Sequence, residues 1–366
     1  MLSAHRLPWA GREKATLLPH SYSLGTDSLL FMNTFLHSLP KIELHLHIEG
    51  TMQPELIFSL AERNGVTLPY ASIDELKAAY DFKNLQSFLD LYYRNMQVLL
   101  SEQDFYDLTW DYFSRVAAEQ LIHAEIFFDP QAHLARGVEI GTQLAGISRA
   151  CREAQQRYGI TSAIILSFLR DMSEESALET LQAALPYREQ FIGIGLDSAE
   201  LGNPPAKFRR VFEQARTLGL RLVAHAGEEG PHEYISEALD ELKVERIDHG
   251  VQCITSSPLT ERLAREQVPL TVCPLSNIYL KVFGTLQEST IPQMLESGLK
   301  VTLNSDDPAY FGGYMNDNFD AVQQAFGWDK EIWVQLTRNA IDASFASDTR
   351  KREMSTQLDH YLARCS

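Results

Sequence analysis

The sequence predicts an α/β fold: a (β/α)8 TIM barrel with a helical insert after strand 1 and extra C-terminal helices, a single domain over residues 32–366. Three observations carry this expectation. Eight short runs rich in β-branched and aromatic residues alternate with longer amphipathic stretches, as βα units around a parallel sheet require. The 366 residues contain no internal repeat, low-complexity tract or linker, and α/β barrels routinely exceed about 250 residues as one unit. Several of the runs end in His, Asp or Glu, and strand C-terminal ends are where a barrel gathers its chemistry.

In chain order, residues 1–31 carry scattered Pro, Gly and Ser without a helical or strand period and read as a leader, with a natural start at Met32 in MNTFLHSLPK. The strands are expected at Ile42–His47, Ala124–Phe128, Ala163–Phe168, Gly193–Asp197, Leu222–Ala226, Arg246–His249, Leu270–Cys273 and Val301–Asn304. Between the first two, from about Gln53 to Gln120, LQSFLDLYYRNMQVLL and DFYDLTWDYFSRVAAEQ repeat apolar residues at three-and-four spacing, which marks an inserted helical segment. After the last strand, Asp317–Phe326 and the segment from Lys330 onward read as helices.

Composition narrows the partners. The chain is 45% hydrophobic, 10% aromatic and 22% charged, which is globular and excludes disordered or disulfide-scaffold classes. With 32 Lys+Arg against 49 Asp+Glu, the formal charge of -17 repels phosphate backbones and anionic lipid, so neither nucleic acid nor membrane is an expected partner. The four cysteines lack C-x-x-C spacing, and no apolar run approaches the ~18 residues of a membrane span. A soluble cytoplasmic protein is expected, with its oligomeric state left open.

The first strand ends in IELHLHIEG; side chains alternate along a strand, so His45 and His47 project from one face. Alone, an H-x-H pair is a weak sign of metal binding. The fifth strand ends in VAHAGE, with His225 at its terminus and Glu228 just beyond; alone, these read as a buried histidine and a solvated acid. The sixth ends in RIDHG, with His249 at the terminus and Gly250 allowing a tight exit. The eighth ends in LNSDDPA, where Asp306 and Asp307 also suit an Asx turn or a helix cap. Together, these residues lie at the same end of four separate strands. One site at the barrel mouth accounts for all of them, and neutral imidazoles with a carboxylate suit Zn²⁺ with a position left for water.

IELHLHIEG, HAGE, DHG, VCPLSN and NSDDPA also occur in the order found in the adenosine and adenine deaminases of the metal-dependent amidohydrolase superfamily. The chain resembles that family from about Leu39 to the C-terminal helices. HAGEEGP, EIFFDPQAH and NSDDPAYFGGYMNDN look like its adenine deaminase branch. The resemblance implies hydrolytic deamination of adenine to hypoxanthine and ammonia in purine salvage, with a deaminase of adenosine or of N6-substituted adenines as the alternative. It implies one Zn²⁺ per subunit, with Fe²⁺ the other candidate metal, held by His45, His47, His225 and Asp306. Glu228 would be the proton donor, His249 the catalytic histidine and Asp307 a carboxyl contacting the base. No matched position is substituted; the leader before Met32 is the departure.

These roles make physical sense. Attack at C6 places negative charge on N1, where a protonated acid is needed, and burial can raise the pKa of Glu228 for that task. Glu49 follows His47 by two residues, so strand alternation aims it inward, toward the N9 edge of a purine. There it would accept the N9–H that adenine has and adenosine lacks; otherwise it anchors the loop after strand one and caps the helix near Gln53. His133 and His232 read as wall or surface residues, Cys273 as core, Ser276 and Asn277 as pocket or cap residues, and Phe82, Phe88, Tyr92 and Tyr93 as helix packing. A binuclear amidohydrolase would want a bridging group at a middle strand, but strand four ends in GLDSAE without a Lys, so a mononuclear site is expected. A barrel kept only for binding would have lost ligands.

Overall fold

The computed structural model describes residues 26–365, with side chains from Met32 onward. Eight parallel strands follow one another around a sheet in the order of the sequence: β1 (Lys41–His47), β2 (Leu121–Phe128), β3 (Thr161–Leu169), β4 (Gly193–Asp197), β5 (Arg221–Ala226), β6 (Arg246–His249), β7 (Pro269–Val272) and β8 (Lys300–Leu303). Closure between β8 and β1 is made past the end of β8. Asp306 bridges Leu46 in parallel, the His47 N–H donates to the Asp306 carbonyl at 3.0 Å, and the Asp306 N–H donates to the His45 carbonyl at 3.2 Å. The expected (β/α)8 barrel is present.

Several strands extend past the expected bounds because backbone pairing with the neighbouring strand continues beyond the apolar run: β2 starts at Leu121 and β3 runs from Thr161 to Leu169. Two others keep their length but begin and end one residue earlier, β7 at Pro269–Val272 and β8 at Lys300–Leu303. Of the expected leader, residues 1–25 lie outside the described residues, while helix α1 (Thr26–Ser38) begins before Met32. The buried residues Phe35, Leu36 and Leu39 dock this end of the chain.

The insert folds as α2 (Pro54–Asn64), α3 (Ile73–Ala78), α4 (Leu85–Asn95) and α5 (Glu102–Val116). A capping box of Asn84 and Ser87 opens α4 and one of Ser101 and Asp104 opens α5, satisfying N–H groups that a helix start leaves free. The short helix α6 (Pro130–Leu134) follows β2, with Pro130 in its first turn, where no N–H is needed. After β8 the chain ends in helices Met315–Phe326, Lys330–Ala343 and Asp348–Arg364, so the segment from Lys330 is two helices.

The alternation of β1 explains the layering. Leu44 and Leu46 join the large apolar core that packs strands against helices, whereas His45 and His47 face the barrel interior. Under them lies a small separate apolar layer of Phe127, Ile165 and Val223 from β2, β3 and β5. The His45 ring meets Phe127 edge-on at 5.2 Å.

Candidate active site

The strand ends bring the expected residues to one place. His47 Nε2 lies 3.1 Å from His225 Nε2; Asp306 Oδ1 lies 3.1 Å from His45 Nε2 and 3.5 Å from His47 Nε2; His249 Nε2 lies 3.8 Å from Asp306 Oδ2. All five are buried. Ligand atoms of His45, His225, His249 and Asp306 lie within 4.8 Å of one another, as do those of His47 with Asp306 and Asp307, and of His47 with Asp129 and Asp197. His249 and Asp306 both adopt positive φ, 64° and 66°. A left-handed backbone costs a non-glycine residue free energy, and such conformations cluster at functional sites. At Asp306 the two hydrogen bonds to β1 hold it there and turn the carboxylate inward.

Second contacts set the rings. His45 Nδ1 lies 3.0 Å from Thr271 Oγ1, and that hydroxyl donates to Asp248 Oδ1 at 2.8 Å. His225 Nδ1 faces Asp248 Oδ2 at 3.7 Å and His47 Nδ1 faces Asp197 Oδ2 at 3.5 Å. With each Nδ1 turned to an outer acceptor, the Nε2 atoms point to the centre, the arrangement metal-binding imidazoles use. Burial lowers the His47 pKa to about 4 and that of His249 to about 3, and drives that of His225 well down. Burial would raise Asp306, but His45, His249 and His47 hold it well below the ordinary carboxylate range. For His45 burial is outweighed by the Asp306 carboxylate, which raises its pKa; the inward Nε2 atoms of His45, His47 and His225 around ionised Asp306 are a donor set that fits a divalent ion such as zinc.

Two acids stand beside this cluster. Glu228 Oε2 is 3.6 Å from His249 Nε2, and Oε1 has no protein partner. Burial, then the charges of Asp306 and Glu200, push its pKa well up. Asp307 is raised likewise by burial, Asp306 and Glu228, and its Oδ1 is also without a protein partner. A Cβ on Gly50 would stand 1.9 Å from that oxygen, so the glycine after Glu49 is what lets the carboxyl of Asp307 sit against β1.

The loop carrying Glu228 is held by a residue the sequence reading passed over. The buried Glu200 carboxylate accepts the N–H groups of Gly227, Glu228, Glu229 and Gly230 at 2.6, 3.1, 2.9 and 2.7 Å. Asp129, Asp197, Asp248 and Thr271 were passed over too. Asp129 follows β2 and Asp197 ends β4, strand-end positions like those of the chosen histidines, so position alone could have flagged them.

Glu49 sits elsewhere than strand alternation predicts. The strand stops at His47, and Glu49 opens a 3-10 turn, Glu49–Thr51. Its Oε1 accepts the Asp129 N–H at 3.1 Å and approaches His133 Nε2 at 2.9 Å, Oε2 is buried without a protein partner, and Glu49 is not among the residues lining the cavity. Nor does it cap α2: its carboxylate bonds go to Asp129 and His133, and the Gln53 side chain at the N-cap of α2 makes no cap bond. Arg136 donates to His133 Nδ1 at 2.6 Å; arginine only donates, so the ring proton is on Nε2, toward Glu49.

The cavity over the cluster is lined by His47, Asp129, Asp197, Glu228 and Asp307 on its polar side. Its apolar side is Leu85, Phe88, Leu89, Tyr92 and Tyr93 from α4, with Leu280 and Phe311. Of the aromatic stripe expected as packing, Phe88, Tyr92 and Tyr93 therefore also form the wall, while Phe82 packs against Phe88 and Phe311. His133 is buried behind the wall and His232 lies apart, 3.1 Å from Thr255 Oγ1.

Residues 40–361 match the family model described as adenosine deaminase. An adenine deaminase of Hahella chejuensis is 58% identical over 331 residues, covering 90% of this chain and 99% of the relative. The crystal structure of an adenine deaminase from Arthrobacter aurescens superposes with a TM-score of 0.87 at 53% identity, covering 89% of this chain and 99% of that one. A zinc-bound amidohydrolase from Burkholderia ambifaria superposes with a TM-score of 0.84 at 26% identity, covering 94% and 96%.

Proposed function

We propose, from the premise that this chain belongs to the adenosine deaminase family, that it hydrolyses adenine to hypoxanthine and ammonia with one zinc ion. The observation that carries the reading is the meeting, at one barrel end, of inward imidazole nitrogens and Asp306 with two buried acids whose free oxygens adjoin the cavity. Near-full-length relatives named adenine deaminase support the substrate.

His45, His47, His225 and Asp306 would hold the metal. A bound zinc there supplies Lewis acidity that makes water nucleophilic near neutral pH. His249 would take a proton from the attacking water and return it to the amine that leaves C6 as ammonia. Glu228, kept protonated by burial, gives a proton to N1 as C6 is attacked and its aromatic bonding is lost. Asp307 hydrogen-bonds the N7 edge. Glu49 serves substrate binding from behind the wall, by fixing the backbone of Asp129. The charge balance and cysteine spacing fit a cytoplasmic enzyme of purine salvage, and among the described residues no helix is long and apolar enough to cross a membrane.

Purified protein assayed on adenine, adenosine and N6-substituted adenines, following the purine absorbance band, tests this. Adenine should be used with kcat/KM orders of magnitude above adenosine. Equal use of both would assign a nucleoside deaminase instead.

A further inference from the structure

Asp129 directly follows β2 and occupies the N-cap position of α6. An aspartate there ordinarily turns its carboxylate back onto the first N–H groups of the helix. Asp129 makes no such bond. Its side chain is buried and lines the cavity; its carboxyl shares one hydrogen bond with that of Asp197, and its Oδ1 is left without a protein partner. A buried carboxyl oxygen without a partner carries a desolvation cost that a ligand donor would relieve. Its backbone is pinned from behind, because its N–H donates to Glu49 Oε1.

The order of the strands indicates which donor that is, resting on the adenine reading above. Glu228 follows β5 and faces N1; Asp307 follows β8 and faces N7. N1 is bonded to C6 and N7 lies on its other side, beyond C5; the short way round the barrel between β5 and β8 passes His249 at the end of β6. The long way passes the ends of β4 and β2, which carry Asp197 and Asp129. Around the rim of the purine, that same long way from N1 to N7 passes N3 and then N9. Position N9 therefore falls to the β2 end. Asp197 has other work: its carboxylate takes the hydrogen bond of the Asp129 carboxyl, and its Oδ2 faces His47 Nδ1 at 3.5 Å.

We propose that Asp129 is a specificity-determining residue that accepts the N9–H of the free base. In a nucleoside, N9 bears the sugar and has no proton to give, so the oxygen stays unpaired as well as crowded. A carboxyl retains an acceptor oxygen in either protonation state.

The test uses adenine and 9-methyladenine with the wild type, Asp129→Leu and Asp129→Asn, checking metal content and melting temperature of each. The wild type should favour adenine over 9-methyladenine by at least about 10–100-fold in kcat/KM, the size of one charge-assisted hydrogen bond. Leucine matches the shape of aspartate without an acceptor, so Asp129→Leu should lose about that factor on adenine, mainly in KM, and bring the ratio near one. Asp129→Asn keeps an amide oxygen and should retain most of the preference. An unchanged ratio in metal-loaded Asp129→Leu overturns the inference. So does a wild type that uses the two bases equally, which decides the matter even where the leucine variant fails to fold. A wild type inactive on adenine overturns the adenine reading itself, and this inference with it.

Discussion

The N–H of His47 donates to the carbonyl of Asp306 at 3.0 Å, and the side chains of the same two residues approach to 3.5 Å. The hydrogen bond that joins the last strand end to the first thus also brings together two groups of the candidate metal site. Closing the barrel and assembling the site are one event, and the positive φ of Asp306 is part of it.

Glu228→Gln should keep its metal and lose rate. The amide still hydrogen-bonds N1 but has no acidic proton, and general acid catalysis contributes about 10²–10⁴-fold. Turnover near wild type with zinc bound, measured by steady-state kinetics beside elemental analysis, would give the acid role to another group.

The fold was legible because β1, β5, β6 and β8 each carry a marked residue at or just past the C-terminal end and the interleaved stretches keep a helical period. The histidines and Asp306 were legible as a set for the same reason. Glu49 was placed by extending a two-residue alternation past His47, but the backbone bonds to Asp306 end the strand there and a 3-10 turn follows. Glu200 was missed because its role is to receive four N–H groups from a loop 27 to 30 residues downstream, and that pairing exists only in the folded chain. Phe88, Tyr92 and Tyr93 were assigned to packing because helical period marks a buried face without saying whether protein or a cavity covers it.

Glu200→Gln should lower kcat on adenine while metal content stays near wild type. The amide nitrogen cannot accept the N–H bonds that both carboxylate oxygens now take, so the loop holding Glu228 is no longer fixed. If Glu200 acts through Glu228, the double variant with Glu228→Gln is little slower than Glu228→Gln alone. Multiplying losses in that cycle would show that the two act separately.

Glu125 gives the fold an acid limit. Burial would raise its pKa, but the Arg246 guanidinium, 2.6 Å away, and His123 bring it down to about 2 from an ordinary 4.5. Because the folded pKa is depressed, its contribution to stability is complete above about pH 4.5 and is lost as pH falls through about 2. Glu125→Gln should cost about 3–5 kcal/mol at neutral pH by removing the nearer counter-charge of buried Arg246 and leaving it only Asp248, 3.6 Å away, and should flatten stability over that acid window. Denaturant unfolding at several pH values measures both, and an undiminished acid slope in the variant would place the titrating group elsewhere.

The most direct test of the central claim is a zinc titration of metal-stripped protein, with activity on adenine and bound metal read at each addition. If His45, His47, His225 and Asp306 hold a single catalytic ion, activity rises in proportion to zinc and stops at one per chain. A break at two, or full activity in stripped protein, would contradict it.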